Sequence, residues 1–256
     1  MPVSTRRFGR CGNSLFMYAT MIGYAKKHGL EYHFPQQTND EIWNPLYFTD
    51  LLLPEWKEGH EDILINEVWN AEQQYQDIPY HENWKGKQIV LNGYWQTEKY
   101  FIDYREKVLK TFNLHWELKE GWVSLHRRYG DYVKYADIHH NITDDYIRMA
   151  IDYFVEKGFN NFLVFSDDIP QVKATVNQHI YPQANFEYSE GKTEMEDMVL
   201  GSCCQHNIIA ASSFSWWQSW LGQNEDKIVI APVKWFEEKN KHLTTKDLIP
   251  DRWIKM

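Results

Sequence analysis

Residues 121–132 read GWVSLHRRYGDY, an apolar run of strand type that ends in a histidine, two arginines and an aspartate. The pattern recurs at 161–168 (NFLVFSDD) and at 206–217 (HNIIAASSFSWW), where polar residues again follow an apolar run at once. Short apolar runs of this kind are typical of buried strands. The polar residues after them would lie at the carboxyl edge of a sheet, where the ligands of parallel sheets bind.

Helical periodicity fills the segments between and after these runs. Helices are predicted at 143–157, 169–178, 194–204 and 213–222. Thr143 is a suitable N-cap for the first of them. Further strands are predicted at 184–188 and 227–231, the second being the last strand of the chain. Strands that alternate with helices favour an α/β fold with a parallel sheet of Rossmann type.

The N-terminal part is less regular. We predict a tight turn at 9–13 and, after it, a helix at 14–28, strands at 31–34 and 88–93, and a helix at 97–112. Between 35 and 85 the pattern indicates no clear element. We therefore predict two lobes, residues 1–115 and residues 116–256, of which the second carries the Rossmann-like sheet.

Composition restricts the partners. The net charge is −9 and the chain has no long basic run, which excludes a non-specific nucleic-acid binder. The chain is rich in aromatic residues, with 12 Trp, 16 Tyr and 13 Phe. These suit a large core, and they equally suit a carbohydrate cleft, because the C–H face of a sugar packs against rings.

The cysteines and the apolar segments indicate the compartment. Cys11, Cys203 and Cys204 are odd in number and two are adjacent, which is typical neither of a disulfide framework nor of a zinc site. We expect buried thiols in a reducing compartment. No apolar stretch reaches the length of a membrane span, and no signal-peptide core follows the first ten residues. A cytoplasmic location is therefore expected.

Glycines open the first of four polar constellations, Gly9-Arg10-Cys11-Gly12-Asn13. Backbone N–H groups at such a turn approach an anion closely, and the following helix N-terminus adds its positive end. The stretch is neither a Walker loop nor a complete dinucleotide-binding fingerprint. A phosphate contact by Gly9, Gly12 and Asn13 and a plain turn with a helix cap are equally compatible with it.

The second constellation begins at His126 and ends a predicted strand. Arginine neutralises the charge that grows on a nucleotide diphosphate leaving group, and it stays charged at any working pH. His126 would donate to the same phosphates or orient its neighbours. The structural alternative is an ion pair between Arg128 and Asp131. The cost of burying unused charge at a strand end favours the functional interpretation.

The last two constellations each have a binding and a capping interpretation. A carboxylate of Asp167 or Asp168 would accept two hydrogen bonds from guanine, or would cap the helix that follows. Small hydroxyls at the start of the Trp-rich helix would meet phosphate or ribose oxygens, or would belong to a capped helix whose tryptophans are core. The residues concerned there are Ser213, Phe214, Ser215 and Trp216.

The chain contains no Asp-x-Asp triplet. Many metal-dependent sugar transferases use such a pair of carboxylates to hold Mg²⁺ or Mn²⁺ against the diphosphate. Arginine would replace the metal here, so we predict neither a metal site nor a cofactor. A pair of carboxylates of glycosidase type stays open at this point.

In this order the motifs resemble those of the alpha-1,2-fucosyltransferases, glycosyltransferase family 11. The resemblance covers nearly the whole chain. It rests on GxxGNxxFxYA at 9–19, GYxQxEKYF at 93–101, HxRxGDY at 126–132, CxHxIIAxSxFSWW at 204–217, and APxxWF and DLIPxxW between 231 and 253. The chain departs from the family pattern at Tyr129, where many members carry a second arginine. Arg128 therefore matches the essential arginine of the motif.

The resemblance implies a GT-B-like architecture and an inverting transfer of L-fucose from GDP-β-L-fucose to the 2-hydroxyl of a terminal galactoside, without metal or cofactor. Arg128 and His126 would hold the diphosphate, helped by Gly12 and Asn13, and Asp131 is the candidate base. The N-terminal lobe would face the acceptor. The other donor contacts would come from Gly9, Asp167, Asp168, Ser213, Phe214, Ser215 and Trp216.

Two alternatives stay open. One is a transferase of another GDP-sugar such as GDP-mannose, since a hydroxyl in place of a hydrogen at C6 changes binding by only about 1–3 kcal/mol. The other is a non-catalytic sugar- or nucleotide-binding protein, which would not need His126 together with Arg128. The galactose-terminated acceptor is open among lactose, longer glycan chains and a lipid-linked O-antigen repeat. A lipid-linked acceptor would bring the protein to the inner face of the membrane.

Overall fold

The computed structural model describes residues 2–6, 8–34, 62–130 and 136–256. They form two compact units. The first is Met1–Leu114 together with Leu243–Pro250, and the second is His115–His242 together with Asp251–Met256. The sequence prediction assigned residues 243–250 to the C-terminal lobe, whereas they pack with the first unit. Lys99 Nζ binds Asp247 Oδ1 at 2.5 Å, which ties this segment to the loop before the second helix of that unit.

The first unit holds a four-stranded parallel sheet. Its strands are β1 (Pro2–Thr5), β2 (Glu31–Tyr32), β3 (Asp62–Asn66) and β4 (Gln88–Asn92), in the order β2-β1-β4-β3. The prediction at 88–93 is confirmed, and that at 31–34 shortens to two residues. Strand β3 was not predicted. It is an edge strand that buries Ile65 and leaves Leu64 43% exposed, and its apolar run at 63–65 is too short to stand out in the irregular stretch 35–85.

Two helices complete the described part of the first unit, α1 (Cys11–Lys27) and α2 (Arg105–Phe112). Helix α1 begins three residues earlier than predicted and is buried on nearly all sides. The predicted helix at 97–112 is wrong in its first half, where two 3-10 turns occur. Thr97 caps the first of them by accepting the Lys99 N–H, and buried Phe101 leaves the helical region with φ −143°.

The second unit holds a six-stranded sheet in which every pair is parallel. Its strands are β5 (Lys119–His126), β6 (Asn161–Phe165), β7 (Asn185–Tyr188), β8 (Cys204–Ile208), β9 (Val229–Ala231) and β10 (Ile254–Lys255). The spatial order is β10-β9-β8-β5-β6-β7. Counted from β5 this is the order 3-2-1-4-5-6 of a Rossmann sheet, which confirms the predicted type. The prediction that 227–231 is the last strand is wrong, because β10 adds one more.

In the ranges that the structure describes, four helices connect these strands. They are α3 (Asp144–Glu156), α4 (Ile169–Thr175), α5 (Glu194–Cys203) and α6 (Ser213–Trp220). Thr143 caps α3 as predicted, its Oγ1 accepting the Tyr146 N–H. The apolar faces of the sheet and of α3 form one core cluster, with residues such as Val123, Phe162, Ile208, Ile147 and Phe154 fully buried. Because the strands are parallel, their carboxyl ends lie at the same edge of the sheet.

Much of the tryptophan surplus is core. Trp216 and Trp217 are fully buried and Trp220 nearly so. The Trp216 ring lies 6.2 Å from that of Trp220, nearly parallel, and 5.4 Å from that of Trp253. The three cysteines are buried and form no disulfide, as predicted. None of the helices in the described ranges combines the length and the apolar character that a membrane crossing requires.

Candidate active site

The strand order places a topological switch point in the second unit, between β5 and β8. The chain leaves β5 toward β6 on one side and returns to β8 on the other, and ligands of such sheets bind at this crevice. His126 is the last residue of β5, and Phe214 is the second residue of α6, the helix after β8. Their ring centroids lie 5.5 Å apart. Two of the predicted site residues therefore meet at the switch point.

His126 is an uncharged imidazole in this position. It is only 3% exposed, and its Nδ1 makes no hydrogen bond to any residue that the structure describes. Burial lowers the pKa of His126 to about 3, and the charge of nearby Arg128 lowers it further in the same direction. A neutral imidazole donates one hydrogen bond but supplies no positive charge. The positive charge beside His126 is that of the Arg128 guanidinium.

Arg128 is oriented by Asp167. Its Nε lies 3.2 Å from Asp167 Oδ2, and the other carboxylate oxygen accepts the backbone N–H of Tyr129 at 2.8 Å. Asp167 follows β6, which pairs with β5. In this pairing His126 lies opposite Phe165. Asp167 is thus one partner of Arg128, and the Arg128–Asp131 ion pair considered from the sequence stays a prediction. Asp131 lies outside the described residues.

The neighbouring Arg127 serves another purpose. Its Nη1 binds Asp144 Oδ1 at 2.6 Å, and its guanidinium carbon lies 4.9 Å from the centre of the Tyr129 ring. The Tyr129 hydroxyl in turn lies 2.7 Å from Thr175 Oγ1. Arg127 is 7% exposed and therefore packs into the unit. These contacts anchor the segment after β5 to α3 and α4.

Asp168 is the N-cap of α4. Its Oδ1 accepts the Gln171 N–H at 3.0 Å, and its own N–H donates to Ser166 Oγ at 3.1 Å. The capping interpretation of the sequence therefore describes Asp168, and Asp167 is bound to Arg128. The predicted guanine contact of either residue stays a prediction.

The start of α6 offers two partly exposed residues, Ser213 and Phe214. Ser215 is buried, and its hydroxyl lies within 3.3 Å of the carbonyl oxygens of Ala210 and Ser212, to which it donates. Trp216 is fully buried in the indole cluster. Their contact with a nucleotide stays a prediction, and the exposed pair is the better placed to make it.

The remaining predicted residues lie in the first unit, around the start of α1. Gly9 adopts φ +79°, a region that favours glycine, and a Cβ there would crowd the side chain of Asn13. Asn13 Oδ1 accepts a hydrogen bond from Gln96 Nε2 at 2.7 Å. Gly12 is buried in the first turn of α1. The glycine turn and the segment after β4 are thus joined by one amide pair.

Sequence reasoning missed Glu67, which organises the same edge. Its Oε2 and Oε1 accept the backbone N–H groups of Tyr94 at 2.7 Å and Trp95 at 2.9 Å. Trp95 has φ +54°, a left-handed conformation that is strained for a bulky residue. Burial raises the pKa of Glu67, and the two backbone hydrogen bonds lower it by less. No local motif marks Glu67, because its partners lie in the loop after β4, far from it in the sequence.

Among the residues that the structure describes, no group of three or more His, Cys, Asp or Glu side chains is placed to hold a metal ion. The polar side chains at the switch point are the neutral imidazole of His126, the guanidinium of Arg128 and the carboxylate of Asp167, which binds Arg128.

Two parallel sheets, one of them with Rossmann order and a polar edge at its switch point, define an α/β protein of the GT-B-like class. The structure of an Arabidopsis thaliana FUT1 variant in complex with GDP is similar in fold, with a TM-score of 0.52 at 10% identity, over 97% of this chain and 75% of that one. The pattern of glycosyl transferase family 11 matches residues 3–256. The chain belongs to this family.

Curated relatives carry related names. The Escherichia coli alpha-1,2-colitosyltransferase is 38% identical over 66% of this chain. The Bos taurus galactoside 2-alpha-L-fucosyltransferase SEC1 is 24% identical over 83% of this chain. The aligned part covers 62% of the length of each, so the chain spans less than two thirds of these relatives.

Proposed function

We propose that this protein transfers L-fucose from GDP-β-L-fucose to the 2-hydroxyl of a terminal galactoside, with inversion at the anomeric carbon and without a metal ion. Its membership of family 11 supports the class of reaction. The observation that carries the proposal is Arg128, held by Asp167 at the switch point beside the neutral His126 and the Phe214 ring.

The chemistry of the leaving group explains the role of Arg128. When the bond between the sugar and the diphosphate breaks, negative charge grows on the departing β-phosphate oxygens. A guanidinium remains charged at any working pH and binds phosphate through a planar fork of donors. An electrostatic donor of this kind contributes about 10²–10³-fold to turnover when it is aimed at developing charge. His126 would add one neutral hydrogen bond to the same oxygens.

We assign the donor mainly to the second unit and the acceptor to the first. Ser213 and Phe214, and a carboxylate of Asp167 or Asp168, would complete the nucleotide contacts. In the first unit Tyr94 is 36% exposed, and its ring lies edge-on to that of Phe8 at 4.7 Å between centroids. Such rings suit the C–H face of a sugar. Asp131 is proposed as the base that takes the acceptor proton.

A second candidate donor is GDP-colitose, because one relative at 38% identity is named a colitosyltransferase. Colitose is fucose without the 3-hydroxyl group. A site built to hydrogen-bond that hydroxyl would reject the colitosyl donor by about 10⁴–10⁵-fold, whereas an apolar surface there would discriminate by only about 10–200-fold. The ratio of kcat/KM for the two donors therefore distinguishes the two proposals.

The test is GDP release from the purified protein with GDP-fucose, with and without lactose and other galactosides, in excess EDTA. Release that depends on the galactoside and is undiminished by EDTA is expected. Release that EDTA abolishes would keep the transferase and refute the metal-free mechanism. Arg128→Ala should lower turnover by about 10²–10³-fold. Arg148→Ala, which removes an exposed arginine of α3, is the matched control and should leave turnover within threefold of wild type, about the scatter expected for surface changes.

Near-normal turnover of Arg128→Ala would refute the leaving-group role. Binding of GDP without turnover on any galactoside or donor would favour the binding-protein alternative. We propose a cytoplasmic location, and a lipid-linked galactoside acceptor would bring the enzyme to the inner face of the membrane.

A further inference from the structure

We infer that Asp167 is a positioning residue that fixes Arg128 in the orientation needed to meet the leaving diphosphate. The inference rests on the proposed function of Arg128, and it assigns to Asp167 a role other than recognition of the guanine base. It is carried by three features around the segment after β5: Asp167 binds it at two points, a glycine makes room for this carboxylate, and the described neighbours Asp168 and Arg127 bind other residues.

The grip fixes a side chain and a main chain together. Asp167 Oδ2 lies 3.2 Å from Arg128 Nε, and Oδ1 accepts the N–H of the next residue, Tyr129, at 2.8 Å. Because the guanidinium is planar and rigid, a partner at Nε sets the direction of the whole group. The backbone contact prevents the segment from sliding along β6. A carboxylate that binds both points leaves Arg128 with little freedom to rotate.

Gly130 provides space for this carboxylate. A Cβ at Gly130 would lie within 3.0 Å of Asp167 Oδ2, closer than Cβ atoms approach other groups. Gly130 is not among the residues with positive φ, so no backbone requirement explains the glycine there. The close approach of Asp167 does explain it. The glycine of the HxRxGDY motif thus supports the same arrangement as the carboxylate, from a different part of the chain.

Two of the neighbouring charged residues that the structure describes, Asp168 and Arg127, have other partners. Asp168 caps α4 through the Gln171 N–H, and Arg127 binds Asp144 at 2.6 Å. The Asp167 side chain is 24% exposed and that of Arg128 is 14% exposed, so the pair lies at the surface edge of the unit without being fully solvated. In this setting an ion pair keeps more of its strength than a fully exposed one. Asp167 is therefore a carboxylate placed to hold Arg128 at a partly buried edge of the unit.

Two measurements separate positioning from guanine recognition. Asp167→Asn removes the charge and keeps the size, and Asp145→Asn in the first turn of α3 is the matched control. Positioning predicts that Asp167→Asn weakens GDP binding about tenfold, weakens GMP binding less than threefold, and leaves the preference for GDP over IDP unchanged. GMP lacks the β-phosphate, and IDP lacks the guanine amino group. A lost preference for GDP over IDP would overturn the inference in favour of base recognition.

A double-mutant cycle tests whether Asp167 acts through Arg128. Asp167→Asn alone should lower kcat about 10–100-fold, and in the Arg128→Ala background it should add less than twofold. Gly130→Ala should mimic Asp167→Asn, because the added methyl displaces the carboxylate. An undiminished effect in the Arg128→Ala background would overturn the inference. If wild type neither binds GDP nor consumes GDP-fucose, the proposed function fails; if wild type does both and Asp167→Asn behaves like Asp145→Asn, only the positioning role fails.

Discussion

Lowering the pH from 7.5 to 5.5 should destabilise the second unit through His126. The pKa of this histidine is lowered from 6.5 to about 3 in the folded protein, chiefly by burial. At pH 5.5 the unfolded chain therefore holds a proton on His126 that the folded chain does not. Protonation of His126 in the unfolded chain therefore raises the unfolding equilibrium constant about elevenfold, which lowers the free energy of unfolding by about 1.4 kcal/mol. The free energy of unfolding falls by about 1.4 kcal/mol more for each further pH unit.

The direction follows from the depressed pKa. At pH 7.5 and above the histidine is almost entirely neutral in both states and contributes almost nothing to the pH dependence. Below pH 6.5 the stability is lost progressively until the pH reaches the folded pKa of about 3. His206 should behave in the same way, because burial lowers its pKa to about 4. Its Nδ1 accepts the Ile228 N–H at 3.1 Å and its ring stacks on Phe154, so a proton finds no favourable place there.

The assay is urea unfolding, monitored by tryptophan fluorescence. The buried tryptophans of the second unit change their emission when this unit unfolds. The comparison is between wild type and His126→Asn, each at pH 7.5 and at pH 5.5. His126→Asn cannot titrate, so its loss of unfolding free energy between the two pH values should be smaller by about 1.4 kcal/mol. The intrinsic cost of the substitution and the titration of all carboxylates cancel in this difference. Equal losses in the two proteins would show that His126 is protonated normally in the fold, and the neutral-donor role would be refuted.

Two further predictions concern the first unit, both measured as the free energy of unfolding. Glu67→Gln should lower it by about 1–3 kcal/mol, because an amide places a donor against the Tyr94 or Trp95 N–H that the carboxylate now accepts; a stability equal to wild type would show that this clamp is dispensable. Gly23→Ala should lower it by about 1–3 kcal/mol, because the new Cβ would meet the backbone carbonyl of Tyr100 closer than 3.0 Å; an unfolding free energy equal to that of wild type would contradict this reasoning.

The second unit could be predicted largely from the sequence, because its inner strands β5, β6, β8 and β9 are mostly buried. Runs such as 162–165 and 208–211 are apolar without interruption, and helical periodicity separates them. The pattern gave the class of fold and the elements. It did not give the strand order, because the return from β7 to the far side of β5 depends on packing between distant segments. The short strands β3 and β10 were missed for the same reason, since each is defined by its neighbour.

The candidate site divides in a similar way. His126 and Arg128 could be found because both lie beside a strand end that is visible in the sequence. The partner of Arg128 could not, because Asp167 is brought to it by the pairing of β5 with β6 and not by proximity in the chain. Likewise, Glu67 reaches the loop after β4 only through the pairing of β3 with β4. Local motifs therefore identified the candidate site residues His126 and Arg128. The pairing of strands was needed to identify Asp167 and Glu67, which bind residues of the site and of the loop after β4.

The adjacent residues Arg127 and Arg128 differ in role within one motif: the contacts of Arg127 are structural, and Arg128 lies at the candidate site. Arg127 is buried, binds Asp144 at 2.6 Å and lies over the Tyr129 ring. Met at this position keeps the apolar stem and removes the charge. Because the Asp144 side chain is 65% exposed, it can be solvated when the pair is lost, so Arg127→Met should cost only about 1–2 kcal/mol of unfolding free energy.

Turnover should then separate the two arginines. Arg127→Met should stay within about fivefold of wild type at a temperature where both proteins are folded, since its effect is on stability. Arg128→Met should lose turnover by about 10²–10³-fold with little change in unfolding free energy. The measurement is kcat for GDP release beside urea unfolding of the same samples. A large loss of turnover in Arg127→Met at unchanged stability would place Arg127 in the site. It would also contradict the assignment of Arg128, held by Asp167, as the arginine of this motif that acts on the leaving group.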